Sequence, residues 1–280
     1  MLRPWVADDG ALVRLRLPRG AVTFEALAEL LRVAERHGDG TVYLTSRANV
    51  QVRGLSHLDG QLEDEVVYAV LATGLVPSTT HERVRNIMAS PLTGRAGGRA
   101  DLRPVVDDLD ARLCAEPRLA GLAGRFLFVL DDGRGDLVGR DLDLGLVAVD
   151  AESAQVRAGR HGWGPVIPLD QAAAALTALA VSFVERAGTA PNAPWHVDEL
   201  DGGGTALLGA PRKRRVETRI SSGPPPLGKI AQQDGRVAEH VPVPDGRVDA
   251  RLLAELAALS PRELIVTPWR TVVVPDLENT

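Results

Sequence analysis

Hydrophobic positions follow two different periods along the chain, and their alternation predicts a mixed fold of helices and strands. Apolar and polar residues alternate over 11–17 and again over 41–54, which is typical of strands. Between these segments apolar residues recur every three or four positions, which predicts a helix that ends at His37-Gly38. Another helix is predicted over about 61–73. The first unit therefore has the order strand, helix, strand, helix.

The rest of the chain divides into a long loop, a second α/β unit, a linker and a short final unit. Residues 76–104 lack periodicity and are rich in Pro, Gly, Ser, Thr and Arg, so they are predicted to form a loop that is either functional or disordered. The predicted domains are 1–75, 76–200, a linker over 201–228, and 229–280. The elements of the second unit are a helix over 105–116, strands over 125–131, 144–150 and 153–158, and a helix over 169–187.

One strand motif occurs near both ends of the chain. The first copy runs from Arg14 to Gly20 and continues, after a helix, from Thr45 to Leu55. The second copy runs from Val241 to Gly246 and continues, after a helix that carries Leu252 and Leu256, from Thr267 to Leu277. Both closing segments have eleven residues from a Thr to a Leu. This repeat predicts a duplicated architecture with a pseudo-twofold axis.

The two copies differ in the chemistry of one strand face. Because side chains at i and i+2 share a face of a sheet, the first copy is predicted to gather Arg47, Asn49, Gln51 and Arg53 on one face. Arg14 and Arg16 of the preceding strand add two arginines to it. The matching positions of the second copy carry no charge: Trp269, Thr271, Val273 and Pro275. The asymmetry favours a single polyanion site, although an edge sheet that presents a charged face to water has the same pattern.

Charge and cysteine content exclude several classes of function. A net charge of −5 argues against a general nucleic-acid binder, and the basic run Arg212-Lys-Arg-Arg215 is interpreted as a solvated loop. The sequence has no long apolar window and no signal peptide, so a cytoplasmic location without a membrane partner is expected. Cys114 is the single cysteine and is predicted to be buried; one thiolate cannot hold an iron–sulfur cluster. The six histidines show no metal-ligand spacing, so no metal site is predicted.

Several motifs resemble, in the same order, the signatures of the nitrite/sulfite reductase superfamily and, within it, the precorrin-3B synthase family of cobalamin biosynthesis. The first half carries Arg14-Leu-Arg-Leu-Pro-Arg-Gly20, Leu44-Thr-Ser-Arg-Ala-Asn-Val-Gln-Val-Arg-Gly54 and Arg85-Asn-Ile-Met-Ala-Ser-Pro-Leu-Thr-Gly94. Leu122 to Gly133 is similar to the central strand of that family, and Pro226-Leu-Gly with Leu264 to Asp276 is similar to its second half. Each motif alone is weak, whereas their order along the chain is fairly specific.

The resemblance implies an α+β fold of two ferredoxin-like half domains about a pseudo-twofold, with an inserted α/β domain that binds a tetrapyrrole. It implies a polycarboxylate tetrapyrrole as ligand, a precorrin or siroheme, and an oxidoreductase of the precorrin-3A monooxygenase type. By position, Arg14, Arg85 and Arg125 match active-site residues. Residues that hold the macrocycle, or the loop around it, are matched by Arg16, Arg47, Asn49, Gln51, Arg53 and Asn86. Arginine suits this task because its planar fork pairs with a carboxylate through two hydrogen bonds.

The chain departs from the family pattern in two ways that affect function. Sulfite and nitrite reductases carry two lysines in the central segment, where this chain has Arg125 and Leu127, which disfavours reduction of a small anion. The family also has a 4Fe-4S cluster bound by two cysteine pairs, and this sequence lacks those cysteines. Three alternatives follow: a C-terminal domain missing from this sequence, a partner chain that supplies the cluster, or a non-catalytic tetrapyrrole carrier or assembly subunit.

Overall fold

A computed structural model describes residues 4–8, 10–190, 192–209 and 212–279. Its α-helices are α1 (Phe24–His37), α2 (Asp64–Ala72), α3 (Arg103–Ala115), α4 (Leu169–Ala187), α5 (Gly203–Leu207) and α6 (Ala250–Ala257). Its strands are β1 (Trp5–Ala7), β2 (Gly10–Leu15), β3 (Ala21–Thr23), β4 (Val42–Leu44), β5 (Val50–Leu55), β6 (His57–Leu58), β7 (Gln61–Leu62), β8 (Ile87–Ala89), β9 (Phe128–Asp131), β10 (Leu144–Ala148), β11 (Ser153–Ala158), β12 (Gly162–Pro168), β13 (Gly228–Ala231), β14 (Val237–Val241), β15 (Arg247–Val248), β16 (Glu263–Val266) and β17 (Val272–Leu277). No helix among the described residues is long and apolar enough to cross a membrane.

The chain forms two compact units. Unit 1 contains Met1–Glu82 together with Pro225–Thr280, and unit 2 contains Arg83–Pro224. The two copies of the repeated motif therefore fold together in unit 1, although the whole of unit 2 separates them along the sequence. The α+β fold class predicted from the sequence is confirmed.

Unit 1 contains two five-stranded sheets that exchange strands reciprocally. One sheet has the order β1-β2-β5-β4-β15 and the other has the order β13-β14-β17-β16-β3. Strand β3 of the first copy pairs with β16 of the second, placing Val22 opposite Leu264. Strand β15 of the second copy pairs with β4 of the first, placing Val248 opposite Val42. Each sheet is thus completed by a strand from the other copy, as a pseudo-twofold arrangement requires.

The duplication extends to single backbone conformations. Arg19 and Asp245 occupy the same place in the two 3-10 turns, Pro18–Gly20 and Pro244–Gly246, and both have a φ near +55°. Ala48 and Arg270 occupy the same place in the two hairpin turns, with φ of 57° and 59°. A non-glycine residue with positive φ is uncommon, so recurrence at matching positions supports a common origin of the two copies.

The strand predicted over 41–54 is instead a hairpin of β4 and β5. The turn between them is closed by the Thr45 amide, which donates to the Asn49 carbonyl at 2.9 Å, and by the Ala48 amide, which donates to the Thr45 carbonyl at 3.1 Å. The turn contains neither Gly nor Pro, which are the usual signals of a chain reversal. The helix predicted to start near residue 61 starts at Asp64, since Gln61–Leu62 pairs with His57–Leu58 as β7.

Helix α1 packs the apolar side predicted from its periodicity against the sheets of unit 1. Its first turn is capped by Thr23, whose hydroxyl accepts from the Ala26 amide at 3.1 Å. The buried residues of this helix are Leu27, Ala28, Leu30, Leu31, Val33 and Ala34. Full burial of one leucine side chain contributes about 1.5–3 kcal/mol, so this face is a main source of stability in unit 1.

Unit 2 is a five-stranded mixed sheet of order β12-β11-β10-β9-β8, whose β8, β9 and β10 are parallel. Helices α3 and α4 pack on it over a core that includes Phe126, Phe128 and Phe183. Strand β8 lies inside the predicted loop, and β12 has no counterpart in the prediction. Residues 213–222 of the predicted linker form hydrogen bonds within unit 2, for example from the Ser222 amide to the Gly135 carbonyl at 3.0 Å.

Candidate functional site

A row of polar side chains crosses four neighbouring strands of unit 1. Backbone pairing places Arg14 of β2 opposite Gln51 of β5, Gln51 opposite Tyr43 of β4, and Tyr43 opposite Arg247 of β15. The residues on either side of this row, such as Val13, Val52 and Val248, point into the core of the unit. We call Arg14, Gln51, Tyr43 and Arg247 the cross-strand row. It lies on the face of the sheet that is directed away from the core.

Side-chain contacts organise the row into two ends. At one end, Nη2 of Arg14 donates to Oε1 of Gln51 at 3.2 Å. At the other end, the Tyr43 ring lies between two cations, with Arg53 Cζ at 5.9 Å and Arg247 Cζ at 5.5 Å from its centroid. The Tyr43 hydroxyl donates to Oδ2 of Asp39 at 2.6 Å. These contacts hold three guanidinium groups along one exposed surface.

The electrostatics of this surface favour a ligand with several negative charges. Partial burial lowers the pKa of Arg14 from its ordinary value, but arginine starts so high that the group stays charged at neutral pH. The hydrogen bond to Asp39, followed by burial, raises the pKa of Tyr43, so its hydroxyl remains a donor. Three cations and one carboxylate therefore define the site, and a guanidinium binds a carboxylate through two parallel hydrogen bonds.

Three residues that the sequence places on this face lie elsewhere in unit 1. Asn49 is 1% exposed, and its Oδ1 accepts from the Leu17 amide at 3.0 Å, so the side chain fixes the backbone and cannot reach a ligand. Arg47 lies in the hairpin turn, outside the strand whose alternation was used to place it. Arg16 is mostly buried and lies 3.9 Å from Oε2 of Glu82, which compensates its charge. Gln51 and Arg53 lie on β5 as predicted.

The two predicted residues of the long loop lie in unit 2 and make structural contacts there. Arg85 donates from Nε and Nη2 to the two carboxylate oxygens of Asp110, both at 2.7 Å, and is 7% exposed. Asn86 donates from Nδ2 to the Phe126 carbonyl at 3.1 Å. Burial, and then the charge of Asp110, raises the pKa of the half-buried Cys114 thiol. Arg85 thus forms a mostly buried ion pair with Asp110 of α3.

Arg125 is exposed, unlike Arg85. Its Cζ lies 4.2 Å from the centroid of the Trp195 ring, and the Trp195 side chain is itself exposed. A guanidinium within about 6 Å of the face of a tryptophan ring is attracted to it electrostatically, so Trp195 helps to position Arg125. Leu127, at the neighbouring family position, is buried at 5% exposure and offers no charge.

Three buried carboxylates form an acidic cluster in unit 2. Asp131, Asp132 and Asp136 have oxygen atoms within 4.8 Å of one another, a spacing compatible with a cation. A protein cation already occupies this neighbourhood, because Arg134 Nη2 lies 2.6 Å from Asp132 and Arg134 Nε lies 3.8 Å from Asp136. Oδ1 of Asp136 accepts from Ser90 Oγ at 2.7 Å. Asp131 accepts from the amides of Gly133, Gly135 and Leu137, so the cluster holds the turn after β9.

Burial, followed by the charge of Asp131, raises the pKa of Asp136 to about 7, and this predicts a pH-dependent stability. The folded state binds the proton of Asp136 more tightly than the unfolded chain does. The protonated carboxyl therefore stabilises the fold fully at pH values below the pKa of Asp136 in the unfolded chain, and this stabilisation is lost as the pH rises towards 7. Between pH 4 and 8, Asp136 should lower the free energy of unfolding of the wild type, measured with urea, by on the order of 2–4 kcal/mol, and Asp136→Asn should remove this fall. Asp141→Asn, at an exposed neighbour, should keep the fall. If the free energy of unfolding varies with pH in the same way in wild type and in Asp136→Asn, Asp136 is not the group responsible.

The cofactors implied by the resemblance differ in how well this chain suits them. A 4Fe-4S cluster needs four thiolates, and Cys114 is the one cysteine of the sequence, so these 280 residues do not fit it. The guanidinium groups of Arg14 and Arg247 in the cross-strand row, and of Arg53 beside it, are complementary in charge to the carboxylates of a tetrapyrrole. Two members of this site, Tyr43 and Arg247, escaped the sequence analysis. The sequence gives no signal for Arg247, because Arg247 lies next to Tyr43 only through the reciprocal exchange of β15.

Residues 7–58 match the sequence family described as the nitrite/sulfite reductase ferredoxin-like half domain. This match covers β2 to β5 and therefore includes Arg14, Tyr43, Gln51 and Arg53. The predicted recognition of this ferredoxin-like domain is confirmed.

Comparison with whole proteins gives relatives of two kinds. The chain is 31% identical over 139 residues to a precorrin-3B synthase of Sinorhizobium sp, covering 48% of this chain and 28% of the relative. It is 28% identical over 138 residues to a ferredoxin–nitrite reductase of Synechococcus elongatus, covering 47% and 27%. The solved structure of the Mycobacterium tuberculosis NirA protein has the same fold, with a TM-score of 0.70 at 16% identity, covering 98% of this chain and 57% of that one. The chain thus spans only part of each relative.

Proposed function

We propose that this chain binds a polycarboxylate tetrapyrrole as a protein of the precorrin-3B synthase type. Its residues 7–58 match the nitrite/sulfite reductase ferredoxin-like half domain. The observation that carries the proposal is the cross-strand row, with its flanking Arg53. The proposed ligand is a precorrin or siroheme. The proposed chemistry is that of an oxidoreductase of cobalamin biosynthesis that acts on precorrin-3A.

The length of the row favours a large ligand over a small one. Neighbouring strands lie about 4.8 Å apart, so the backbones that carry Arg14 and Arg247 are separated by three strand spacings, or roughly 14 Å. Nitrite or sulfite is small enough to contact only one end of the row. A planar macrocycle with carboxylates around its rim could engage Arg14, Arg53 and Arg247 together. The spacing of the cations therefore supports a polycarboxylate ligand.

The central segment of unit 2 supports the same choice. A reductase of sulfite or nitrite would be expected to place two cations there, whereas this chain has the exposed Arg125 and the buried, uncharged Leu127. Ferredoxin–nitrite reductase is nevertheless among the relatives, so reduction of nitrite is the main alternative function. The two functions differ in the ligand that the row must bind.

The presence of only one cysteine affects catalysis more than it affects tetrapyrrole binding. An oxidoreductase of this type needs an electron relay, and these residues supply one thiolate. Turnover would then depend on a cluster carried by another chain or by a further segment of the protein. This observation favours a second candidate function, a non-catalytic tetrapyrrole carrier or assembly subunit, which uses the same binding surface.

Substitution of Arg14 in the row, or of Arg53 beside it, should weaken tetrapyrrole binding while the fold is kept. Each charge-assisted hydrogen bond contributes roughly 1.5–3 kcal/mol, so Arg14→Ala and Arg53→Ala should each raise the Kd for siroheme and for uroporphyrin about tenfold to a hundredfold. Absorbance titration of the purified chain measures this change. Arg32→Ala is the matched control, because Arg32 is an exposed arginine of α1 in the same unit whose partner is Glu29.

Two results would contradict the proposal. One is equal tetrapyrrole affinity in the Arg14, Arg53 and Arg32 variants, which would make the row a solvated surface. The other is binding of nitrite or sulfite that Arg14→Ala abolishes, in the absence of tetrapyrrole binding, which would favour the reductase. Added precorrin-3A with dioxygen, an electron donor and a protein that supplies the iron–sulfur cluster then separates the enzyme from the carrier, since only the enzyme transfers oxygen to it.

A further inference from the structure

A buried glutamine ties the basic run of the chain to the sheet of unit 2. Gln155 of β11 is 1% exposed, and its Nε2 donates to the Gly164 carbonyl at 3.1 Å and to the Lys213 carbonyl at 2.9 Å. Its Oε1 accepts from the Arg215 amide at 2.8 Å. The Arg212 amide donates to the Trp163 carbonyl at 3.0 Å. The backbone of residues 212–215 is therefore held against the sheet, while Arg212, Lys213 and Arg215 are exposed in a segment without secondary structure, in agreement with the solvated loop that the sequence predicts.

This anchoring places Arg214 beside another arginine on one aromatic ring. The Cζ of Arg157 lies 4.9 Å from the centroid of the Trp163 ring, and the Cζ of Arg214 lies 4.7 Å from it. Arg214 is oriented by Thr218, whose carbonyl oxygen accepts from Nη2 at 2.5 Å and whose hydroxyl accepts from Nε at 3.3 Å. Arg157 is oriented by the Val138 carbonyl, which accepts from Nη1 at 2.9 Å.

The charge of Asp131 offsets only part of the cost of these two like charges, because it raises the pKa of Arg157 less than burial and Arg214 lower it. Among the described residues, no Asp or Glu forms an ion pair with Arg157 or Arg214, and the buried Nε of Arg157 has no hydrogen-bond acceptor. Arg157 is 6% exposed; its burial, and then the charge of Arg214, lower its pKa to about 10. Burial of a cation outside an ion pair is costly, and a second cation beside it adds repulsion. A bound anion would remove both costs.

We propose that Arg157 and Arg214, packed on Trp163, form an oxoanion site in unit 2 that takes a carboxylate or phosphate group. Arg157 offers its unmatched Nε, and Arg214 offers the edge of its guanidinium that is not bonded to Thr218. Trp163 packs against both guanidinium groups. The site lies wholly in unit 2, so it stands whether or not the cross-strand row of unit 1 binds a tetrapyrrole.

Thermal unfolding of the full chain tests the site, with inorganic phosphate and citrate as separate probes at constant ionic strength set with chloride. A ligand that binds the folded state should raise the Tm saturably, by about 3–8 °C at high occupancy. The rise should be absent in both Arg157→Met and Arg214→Met. Two variants are used because the buried Arg157 also supports the fold, whereas Arg214 is less buried. Arg160→Met, at an exposed arginine next to the same strand, should behave like wild type.

The outcomes separate the two chemical sources and can overturn the proposal. A shift with phosphate alone assigns a phosphate group, and a shift with citrate alone assigns a carboxylate; either supports the site if both Arg157→Met and Arg214→Met abolish it. A shift of equal size in wild type and in Arg214→Met would overturn the proposal. Equal Tm in chloride, phosphate and citrate for the wild-type chain would overturn it as well.

Discussion

Gly20→Ala should lower the free energy of unfolding by more than about 4 kcal/mol, whereas the pseudo-twofold equivalent Gly246→Ala should cost only about 1–2 kcal/mol. Both glycines have a positive φ, 73° and 66°, so alanine is strained at either position. A methyl group on Gly20 would overlap the Val266 carbonyl oxygen, which belongs to the backbone of β16. A methyl group on Gly246 would instead approach the flexible side chain of Arg270 at 3.1 Å.

Urea unfolding of the two variants at one pH measures the difference. Because Gly20 joins β2 to the exchanged strand β3, the larger loss reports on the packing of that strand against the second copy. Equal losses in the two variants would show that the backbone approach at Gly20 relaxes freely. A loss near zero at Gly20 would contradict the reciprocal strand exchange itself.

Local patterns were sufficient for the helices and for the duplication. The residues that predicted α1 and α4 pack in the cores of their units, since helical periodicity depends only on neighbours three or four positions away. The hairpin at residues 42–55 was missed because its reversal depends on a positive φ at Ala48, a residue with no turn propensity of its own. The exchange of β3 and β15 could not be predicted, because strand pairing over more than 200 positions leaves no local signal.

In the candidate site, too, local patterns predict some residues, whereas residues that depend on strand pairing are not predicted. Arg14, Gln51 and Arg53 were placed on one face by strand alternation, and the structure has them there. The same rule predicts Asn49 on that face, but Asn49 is buried because it lies in the turn before β5. The sequence does not predict Arg247, because Arg247 and Tyr43 are far apart along the chain and are adjacent only through strand pairing. Pairing register, which sequence periodicity does not encode, decides which side chains share a site.

The last expected result concerns Arg85, which the family resemblance implies is an active-site residue and the structure places in an ion pair. Two donors of Arg85 are committed to Asp110, and the pair is mostly buried, so removing one partner leaves an uncompensated charge. We expect Arg85→Ala to lower the free energy of unfolding by about 3 kcal/mol. Burial and the charge of Asp110 raise the pKa of Cys114, and Arg85 opposes this rise, so without Arg85 the thiol should also react more slowly with a disulfide reagent at neutral pH.

Loss of stability alone would not distinguish support of the fold from contact with a ligand, so a double variant is needed. Arg85→Met combined with Asp110→Leu replaces the ion pair with apolar side chains, which should recover most of the stability. If Arg85 only supports α3, this double variant should bind siroheme with an affinity within a fewfold of wild type. A loss of tenfold or more, in a double variant whose unfolding curve matches wild type, would mean that Arg85 leaves Asp110 to contact the ligand. The ion pair would then be one state of a residue that changes partners on binding.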